Sequence, residues 1–269
     1  MNKKFKISNL YLIFIFILLY LPIAYLIFYS FNSGTNMNSF VGFSLDHYRE
    51  VFHDTRLWTI VINTIVLGLL SSLIATIIGT CGAIAIYYLR SERIRKRVLS
   101  FNSVLMVMPD VMMGASFLVL FTFLIKIPMG FMTVLLSHIA FSIPIVVLMV
   151  LPRLYSLNPS MILAAEDLGA SDITILNKII LPNITSGVLT GFFMALTYSL
   201  DDFAVTFFVT GSGFTTLSVE IYSRVRTGIS LEINALSTMM FLASLLLVVI
   251  YYFISQREMK IMERRKVDE

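Results

Sequence analysis

The sequence predicts an all-α membrane protein with six transmembrane helices. Of its 269 residues, 58% are hydrophobic and 13% are charged, and the mean hydropathy is +0.87. Apolar runs long enough to cross a bilayer recur along the chain, separated by polar segments. A water-soluble core of this composition is excluded, because too few polar residues remain to cover its surface. We therefore expect one membrane domain over residues 1–269.

The apolar runs divide the chain into six candidate spans with soft ends. The first follows Lys3, Lys4 and Lys6 as a signal peptide would, but the run is too long and no A-x-A cleavage site follows it. An uncleaved first span is therefore favoured. Residues 32–57 are polar and are predicted to form a loop. The predicted spans are about 7–31, 58–89, 98–125, 130–152, 184–209 and 233–255.

The distribution of lysine and arginine orients the spans. Fifteen of the 20 basic residues lie in the N-terminus, the 90–97 loop, the 153–183 loop and the C-terminal tail, which share one side of six spans. The positive-inside rule therefore places both termini and the 158–182 loop in the cytoplasm. The excess of basic over acidic residues is explained by membrane orientation and by contact with membrane lipid. No nucleic-acid partner is predicted, because the sequence has no basic face with interleaved aromatic residues.

Three of the 16 acidic residues fall inside predicted spans: Asp110, Asp201 and Asp202. A carboxylate at the bilayer centre costs roughly 2.5–3.5 kcal/mol even on insertion scales, so intramembrane acids usually face a cavity and serve function. Asp110 lies roughly 18 Å along the third span, near mid-membrane. Asp201 and Asp202 lie roughly 26 Å along the fifth, in its outer half. Internal salt bridges or interhelical hydrogen bonds are the structural alternative.

Asp201 and Asp202 cannot both point into one pore, because adjacent residues differ by about 100° around a helix. One is expected to line a path, while the other pairs with a second group or caps a broken helix. No lysine or arginine lies deep in the spans. The countercharge must therefore come from a partner subunit, from protonation or from a cationic substrate. Tyr198, one turn before this pair, offers a cation–π contact for an ammonium group.

Several other residues within the spans are expected to be structural. Pro109 and Pro144 predict kinks or breaks in their helices. Gly187 and Gly191 open the fifth span and predict close helix packing. His138 has neither a second histidine nor a nearby acid in the sequence, so we predict a satisfied residue of the helix bundle, not a ligand.

Residues 158–182, the longest polar interruption in the second half of the chain, are predicted to form two short helices. Asn158 can cap the first helix and Gly169 can end it in a left-handed conformation. Ser171 can cap the second, and Pro182 marks the next boundary. Each helix has about ten residues, half of what a bilayer crossing needs. Periodicity alone leaves an ordinary interhelical loop and a docking element equally open.

The residue types within this segment resemble the cytoplasmic EAA loop of ABC-importer permeases. The family pattern is Glu-Ala-Ala, three residues, Gly, nine residues, Ile, one residue and Leu-Pro, and the spacing matches throughout. Leu163 stands where the glutamate is usual, and Glu166 lies one turn further on. The resemblance implies a coupling helix that docks in a cleft of the ATPase subunit. The positions that it assigns to coupling are Ala164, Ala165, Glu166, Asp167, Gly169, Ile179, Leu181 and Pro182.

Further segments resemble the permeases of spermidine/putrescine ABC importers, of the MetI-like type I family. They are Met108-Pro109-Asp110, Ser137-His138, Ser199-Leu200-Asp201-Asp202, Phe208-Val209-Thr210-Gly211 and Glu232-Ile233-Asn234-Ala235. With the 164–182 segment, the likeness covers nearly the whole chain. It implies a polyamine importer in which this chain pairs with a second permease, two ATPase subunits and an extracytoplasmic polyamine-binding protein. A substrate path through Asp110, Tyr198, Asp201 and Asp202 is the corresponding expectation.

The sequence contains no glycine followed by lysine, so it has no Walker A loop to bind ATP. We expect no cofactor on this chain, because ATP would be bound by the partner ATPase subunits, and no enzymatic activity. The single cysteine, Cys81, provides neither a disulfide nor a cysteine metal site, and no metal site is predicted.

Alternative functions fit the sequence less well than a permease does. An intramembrane aspartyl protease also uses two carboxylates, but its G-x-G-D motif is absent, as is the H-E-x-x-H motif of a metalloprotease. A channel could use rings of acids but would not need a docking loop. Among permeases, the rival substrates are putrescine alone, another organic cation, another small solute or a metal chelate.

Overall fold

The computed structural model describes residues 3–227, 231–242 and 245–246. Within these ranges the protein is almost entirely helical, with one isolated antiparallel bridge between Asn32 and Phe43. The helices are α1 Lys3–Ser30, α2 Asp46–His53, α3 Thr55–Tyr88, α4 Glu92–Val107, α5 Asp110–Val119, α6 Phe131–Tyr155, α7 Pro159–Asp167, α8 Asp172–Ile175, α9 Leu181–Asp201, α10 Ala204–Val209, α11 Leu217–Thr227 and α12 Leu231–Leu242. Two π-helical turns, Leu120–Ile125 and Leu176–Ile180, follow α5 and α8.

The chain divides into two compact units, and the first combines the described parts of residues 1–57 and 221–269. In this unit the predicted 32–57 loop is wrong in part, because α2 forms within it. The Asn32 side chain is fully buried and holds the loop that follows it, accepting a hydrogen bond of 2.8 Å from the Val41 N–H. The polar segment therefore has a fixed conformation that hydrophobicity alone could not indicate.

Within the described residues, four helices are long and apolar enough to cross a membrane: Asn9–Ser30, Thr55–Tyr88, Phe131–Tyr155 and Asp172–Asp201. They correspond to the predicted first, second, fourth and fifth spans. The fifth helix is displaced from its predicted 184–209 range, because the chain is already helical from Asp172. The predicted sixth span, 233–255, begins within α12, and most of its length lies outside the described residues.

The predicted third span, 98–125, is two helices and not one. α4 ends at Val107 and the helical stretch Asp110–Ile125 follows, with the two axes bent by 102°. Pro109 explains the break, because proline lacks an N–H and disfavours helical geometry in the residue before it. Met108 and Pro109 are accordingly extended, both with ψ of 133°. The break predicted at Pro109 is confirmed, whereas α6 continues through Pro144.

The second unit, residues 58–220, is built around the contact between α6 and α9. The predicted packing role of the two glycines of α9 is confirmed. A Cβ at Gly187 would lie 2.7 Å from Arg153 Cγ, and one at Gly191 would lie 3.2 Å from Val146 Cγ1. A buried apolar cluster of this unit, beside the site described below, contains Leu67, Met113, Phe121, Val134, Leu135, Phe141, Val205 and Val209.

Candidate functional site

In the predicted fifth span, the helix breaks after α9. α9 stops at Asp201, Asp202 is extended with ψ of 123°, and after Phe203 the chain enters the short helix α10. α10 packs against α5 at Gly114, where a Cβ would lie 2.7 Å from Phe208 Cδ2. The continuous helix predicted through residue 209 is therefore wrong. This packing brings the break before α5 and the break before α10 to the same place.

A cavity of about 240 Å³ lies where the two breaks meet. At roughly 30 Å³ per water molecule, this volume holds several waters or one segment of an extended ligand. The structure thus gathers all four residues predicted for a substrate path around one cavity. Its lining residues are Asp110, Tyr198, Asp201, Asp202, Phe203 and Ala204.

Asp110 and Tyr198 contact each other directly across the cavity wall. The Tyr198 hydroxyl donates a hydrogen bond of 3.0 Å to Asp110 Oδ1. The Tyr198 ring packs edge-on against Phe141, with ring centroids 4.8 Å apart. A carboxylate has about four acceptor positions, so Asp110 retains capacity for a further donor from a ligand. The tyrosine predicted for a cation–π contact therefore also orients a carboxylate.

Asp202 is the member of the acidic pair that caps the broken helix. Its Oδ2 accepts hydrogen bonds from the Thr206 N–H at 2.8 Å and the Thr206 hydroxyl at 2.7 Å, and its Oδ1 accepts from the Val205 N–H at 3.2 Å. These are the free donors of the first turn of α10, which an N-terminal acid satisfies. Asp201 is exposed at the cavity. The expected division of roles within the pair is confirmed for Asp202.

His138 has an acid nearby, contrary to the sequence-based expectation. Its Nε2 lies 3.5 Å from Asp202 Oδ2, and the two side chains are 0% and 6% exposed. Its Nδ1 lies 2.6 Å from Ser199 Oγ, and its Nε2 lies 2.9 Å from Thr206 Oγ1. The prediction that His138 is satisfied within the bundle is confirmed. Although no lysine or arginine lies deep in the spans, His138 gives Asp202 an ionisable partner within this chain.

The network of His138, Ser199 and Thr206 could not be identified from the sequence. The histidine lies 61 positions from Ser199 and 68 from Thr206, and only the packing of α6 on α9 and α10 joins them. A local signal was nevertheless present. Ser199 and Thr206 lie within four positions of Asp202 in the sequence, and His138 is a polar residue in a candidate span, so each needs a partner within a bilayer.

The 158–182 segment forms the predicted capped helix. The Asn158 side chain accepts a hydrogen bond of 3.0 Å from the Ser160 N–H, and Pro159 occupies the first turn of α7. Gly169 ends the helix with φ of +74°, a conformation that favours glycine. Ala165 is half-buried, and Ala164, Glu166 and Asp167 are exposed. Apolar side chains are also exposed, namely Met161, Leu163, Leu168 and Ile173.

The second short helix predicted in this segment does not end at Pro182. Ser171 caps α8 by accepting from the Thr174 N–H, and the chain then continues through the π turn into α9. In this π turn the Leu181 N–H bonds to Leu176 O, and Pro182 follows in the first turn of α9, where proline is tolerated. Ile179, Leu181 and Pro182, which the sequence predicts for coupling, are therefore part of one helix that begins at Asp172 and ends at Asp201.

A second cavity, of about 340 Å³, lies between the end of α3 and the 158–182 segment. Its apolar wall includes Ile84, Ile162 and Ile175, and Glu166 and Asp172 contribute the carboxylates. The cavity shows that α7 is not packed tightly onto the bundle along its whole length.

Comparison with known proteins identifies relatives over nearly the whole chain. Residues 78–266 match the family of the binding-protein-dependent transport system inner membrane component. The spermidine/putrescine transport system permease protein PotC of Haemophilus influenzae is 37% identical over 95% of this chain and 98% of its own length. The putrescine transport system permease protein PotI of Escherichia coli is 34% identical over 83% of this chain and 82% of its own length.

Solved structures show the same fold. A crystal structure of a bacterial ABC transporter involved in the import of the acidic polysaccharide alginate aligns with a TM-score of 0.74, covering 94% of both chains at 19% identity. That protein takes an acidic polysaccharide, so the fold alone does not determine the charge of what passes through it. The argument about substrate must therefore come from the site and from the closer relatives.

Proposed function

Because the chain belongs to the family of binding-protein-dependent inner membrane transport components, we propose that it is the permease subunit of an ABC importer that moves polyamines into the cytoplasm. The observation that carries the substrate class is the cavity whose lining includes three aspartates and a tyrosine. Relatives at 37% and 34% identity that are named for spermidine/putrescine and putrescine transport support the same class.

The cavity suits a flexible polycation. A protonated polyamine carries several ammonium groups separated by methylene chains, and a buried carboxylate is tolerable when such a group pairs with it. Asp110 and Asp201, both exposed at the cavity, are the carboxylates that we assign to this pairing. Tyr198 and Phe203 line the cavity, and we assign to their rings cation–π contact with the ammonium groups and packing against the methylenes. Contacts of this kind are loose enough to release the substrate, as transport requires.

In this proposal, ATP hydrolysis is coupled to transport through the 158–182 segment. We assign to it the docking of a partner ATPase subunit, which binds the ATP, with α7 as the coupling helix. The exposed apolar residues Leu163 and Leu168 support a docking role, because apolar side chains anchor a helix in a partner's groove. At the position of the usual glutamate, Leu163 offers an apolar contact, and Glu166 and Asp167 supply the acids on this helix.

The partner subunits follow from the same proposal, in which this chain forms the path and other subunits bind ATP and substrate. We assign to the assembly a second permease subunit, two ATPase subunits and an extracytoplasmic polyamine-binding protein. The chain crosses the cytoplasmic membrane several times, with both termini in the cytoplasm, in accordance with its lysine and arginine distribution.

The rival functions fit the geometry less well. An aspartyl protease needs two carboxylates close enough to share a proton, whereas Asp202 is bonded to α10 and Asp110 to Tyr198. Among substrates, putrescine alone or another organic cation suits the same carboxylates. The substrate test below separates these candidates.

The test is uptake by the complete complex in proteoliposomes with internal ATP. Labelled spermidine and putrescine are expected to accumulate, with competition by unlabelled polyamines and none by a neutral sugar or an anionic amino acid. Accumulation of a different organic cation in preference to both polyamines would overturn the substrate assignment. ATP-dependent uptake of no cation at all would overturn the proposed function itself.

A further inference from the structure

His138 lies directly behind the cavity wall and forms a buried ionisable pair with Asp202. The imidazole is fully buried, and its Nε2 lies 3.5 Å from Asp202 Oδ2. Asp202 is one of the residues that line the cavity, and its side chain is 6% exposed, so its charge lies just behind the cavity surface and beside the histidine. A change in the charge of His138 therefore changes the electrostatic potential in the cavity through Asp202.

The hydrogen bonds determine which nitrogen of His138 carries a hydrogen. The Thr206 hydroxyl has one proton, and its bond of 2.7 Å to Asp202 Oδ2 uses that proton, because an ionised carboxylate only accepts. The Thr206 oxygen must then accept in its contact of 2.9 Å with His138 Nε2. Nε2 is therefore the donor, and Thr206 connects the imidazole to the carboxylate.

On its other side, His138 can be neutral or protonated without losing a hydrogen bond. Ser199 Oγ lies 2.6 Å from His138 Nδ1 and 3.0 Å from Ser71 Oγ, which lies 3.2 Å from Gly68 O. When the histidine is neutral, Ser199 donates to Nδ1. When it is protonated, Nδ1 donates to Ser199, Ser199 donates to Ser71, and Ser71 donates to Gly68 O. Rotation of two hydroxyls suffices to accept the proton.

We propose that His138 is a positioning residue for transport, which holds Asp202 at the break of the fifth helix and, when protonated, neutralises Asp202 against the cationic substrate. This inference rests on the proposed polyamine function. With neutral His138, Asp202 keeps an uncompensated negative charge behind the cavity that Asp110 and Asp201 face. With protonated His138, the carboxylate of Asp202 is compensated, and the substrate is held less tightly.

The groups that face His138 come from every element packed around it. α9 contributes Ser199, the break contributes Asp202, and α10 contributes Thr206. On its own helix the ring contacts Phe141, with centroids 4.9 Å apart. The next titratable groups are Tyr198, which packs on Phe141, and Asp110, which is bonded to Tyr198. Asp202 is thus the charged group in direct contact with the imidazole.

The experiment measures the KM and Vmax of spermidine uptake by the complete complex at external pH from about 5.5 to 8, the range in which histidine ordinarily changes charge. In the unmodified complex, KM is expected to rise roughly tenfold as pH falls, the order given by one unit charge about 10 Å from the substrate. His138→Gln keeps an N–H donor for Thr206 but cannot become charged. Its KM is expected to stay low at acidic pH.

Ser137→Ala is the matched control, because Ser137 is fully buried on the same helix and donates a hydrogen bond to Thr133 O within that helix. It should retain the pH profile of the unmodified complex, with the same binding protein present. A His138→Gln variant whose KM rises with acid as in the control would overturn the inference. So would a uniform loss of Vmax with an unchanged KM profile, which is the result of a packing role alone.

The failure of this inference is distinguishable from the failure of the proposed function. Asp110→Asn should raise KM at every pH and keep the pH profile, because the His138–Asp202 pair remains. If Asp110→Asn weakens uptake while His138→Gln leaves the pH profile unchanged, the transport function stands and the role of His138 is wrong. If the unmodified complex accumulates no polyamine at any pH, the proposed function fails.

Discussion

The Tyr198 hydroxyl donates a hydrogen bond of 3.0 Å to Asp110 Oδ1 and so joins residues separated by 88 positions in the chain. Asp110 begins α5 directly after one helix break, and Tyr198 lies in the last turn of α9 before the other. The bond thus connects the two broken helices at the cavity. A carboxylate held in this way presents its remaining lone pairs in a fixed direction.

Tyr198→Phe should weaken transport without preventing assembly. The change removes the hydroxyl that orients Asp110 and keeps the ring contact with Phe141. A hydrogen bond to a charged group contributes about 1.5–3 kcal/mol, and the partial exposure of this one lowers its effect, so we expect KM to rise roughly fivefold. Tyr155→Phe, at an exposed tyrosine outside the cavity, is the control. Equal uptake by the two variants would contradict an orienting role.

Gly169→Val should uncouple ATP hydrolysis from uptake. Gly169 has φ of +74°, and a Cβ there would meet nothing within 4 Å, so the cost is one of backbone conformation and not of a clash. Left-handed geometry costs an L residue roughly 1–2 kcal/mol, which reduces the docking conformation about 5- to 30-fold. Gly169→Asn is the matched variant, because asparagine adopts this conformation more readily. Full uptake and full substrate-stimulated ATPase activity in Gly169→Val complexes would contradict the docking role.

The sequence predicted the features of the fold that are local in the chain. Long apolar runs, the caps at Asn158 and Ser171, and the break at Pro109 depend on neighbouring residues, and the structure confirms them. The break after Asp201 has no proline or glycine to mark it. Its cap is Asp202 itself, in an apolar run that would otherwise continue as a helix.

The candidate site was predictable as a set of residues but not as an arrangement. The cost of intramembrane charge singled out Asp110, Asp201 and Asp202, and the structure places all three at one cavity. The contact between His138 and Asp202 depends on how α6 packs against α9, which the sequence does not encode in a local pattern. The same holds for the π turn that carries the helix past Pro182.

The orientation of the chain can be tested by cysteine labelling in intact cells. Asn36 and Ser171 are both exposed, so their reactivity reports the side of the membrane and not burial. Cys81 is free and exposed, so the background should carry Cys81→Ser. A cysteine at position 36 should react with a thiol reagent that cannot cross the membrane, and one at position 171 should react only after permeabilisation. The opposite result would invert the orientation.

Gly114→Ala should destabilise the contact between α5 and α10. The added Cβ would lie 2.7 Å from Phe208 Cδ2 and 3.1 Å from both Ala204 O and Val205 Cα, and the backbone atoms cannot move aside easily. Overpacking of this kind costs about 1–3 kcal/mol, so thermal melting of the purified complex should shift to lower temperature. At Gly82 the nearest atom is 3.8 Å away, so Gly82→Ala should be neutral or stabilising. Identical melting of both variants would contradict the tight contact.

The three intramembrane carboxylates should differ in what their neutralisation does. Asp110 and Asp201 are exposed at the cavity, so Asp110→Asn and Asp201→Asn should assemble normally and raise the KM for polyamine uptake roughly tenfold, since each loses a charged hydrogen-bond acceptor. Asp202 accepts from two backbone N–H groups and from the Thr206 hydroxyl. In Asp202→Asn the amide nitrogen must face one of these donors, so the complex should also melt at lower temperature.

The measurement is uptake in vesicles containing equal amounts of complex, paired with thermal melting of the same preparations. Glu92→Gln is the control, because its carboxylate is 78% exposed at the start of α4, away from the cavity. Wild-type uptake by all three asparagine variants would mean that these acids are structural and that the ammonium groups are recognised elsewhere. Normal melting of Asp202→Asn would show that asparagine caps α10 as well as aspartate does, because asparagine is itself a good N-cap residue.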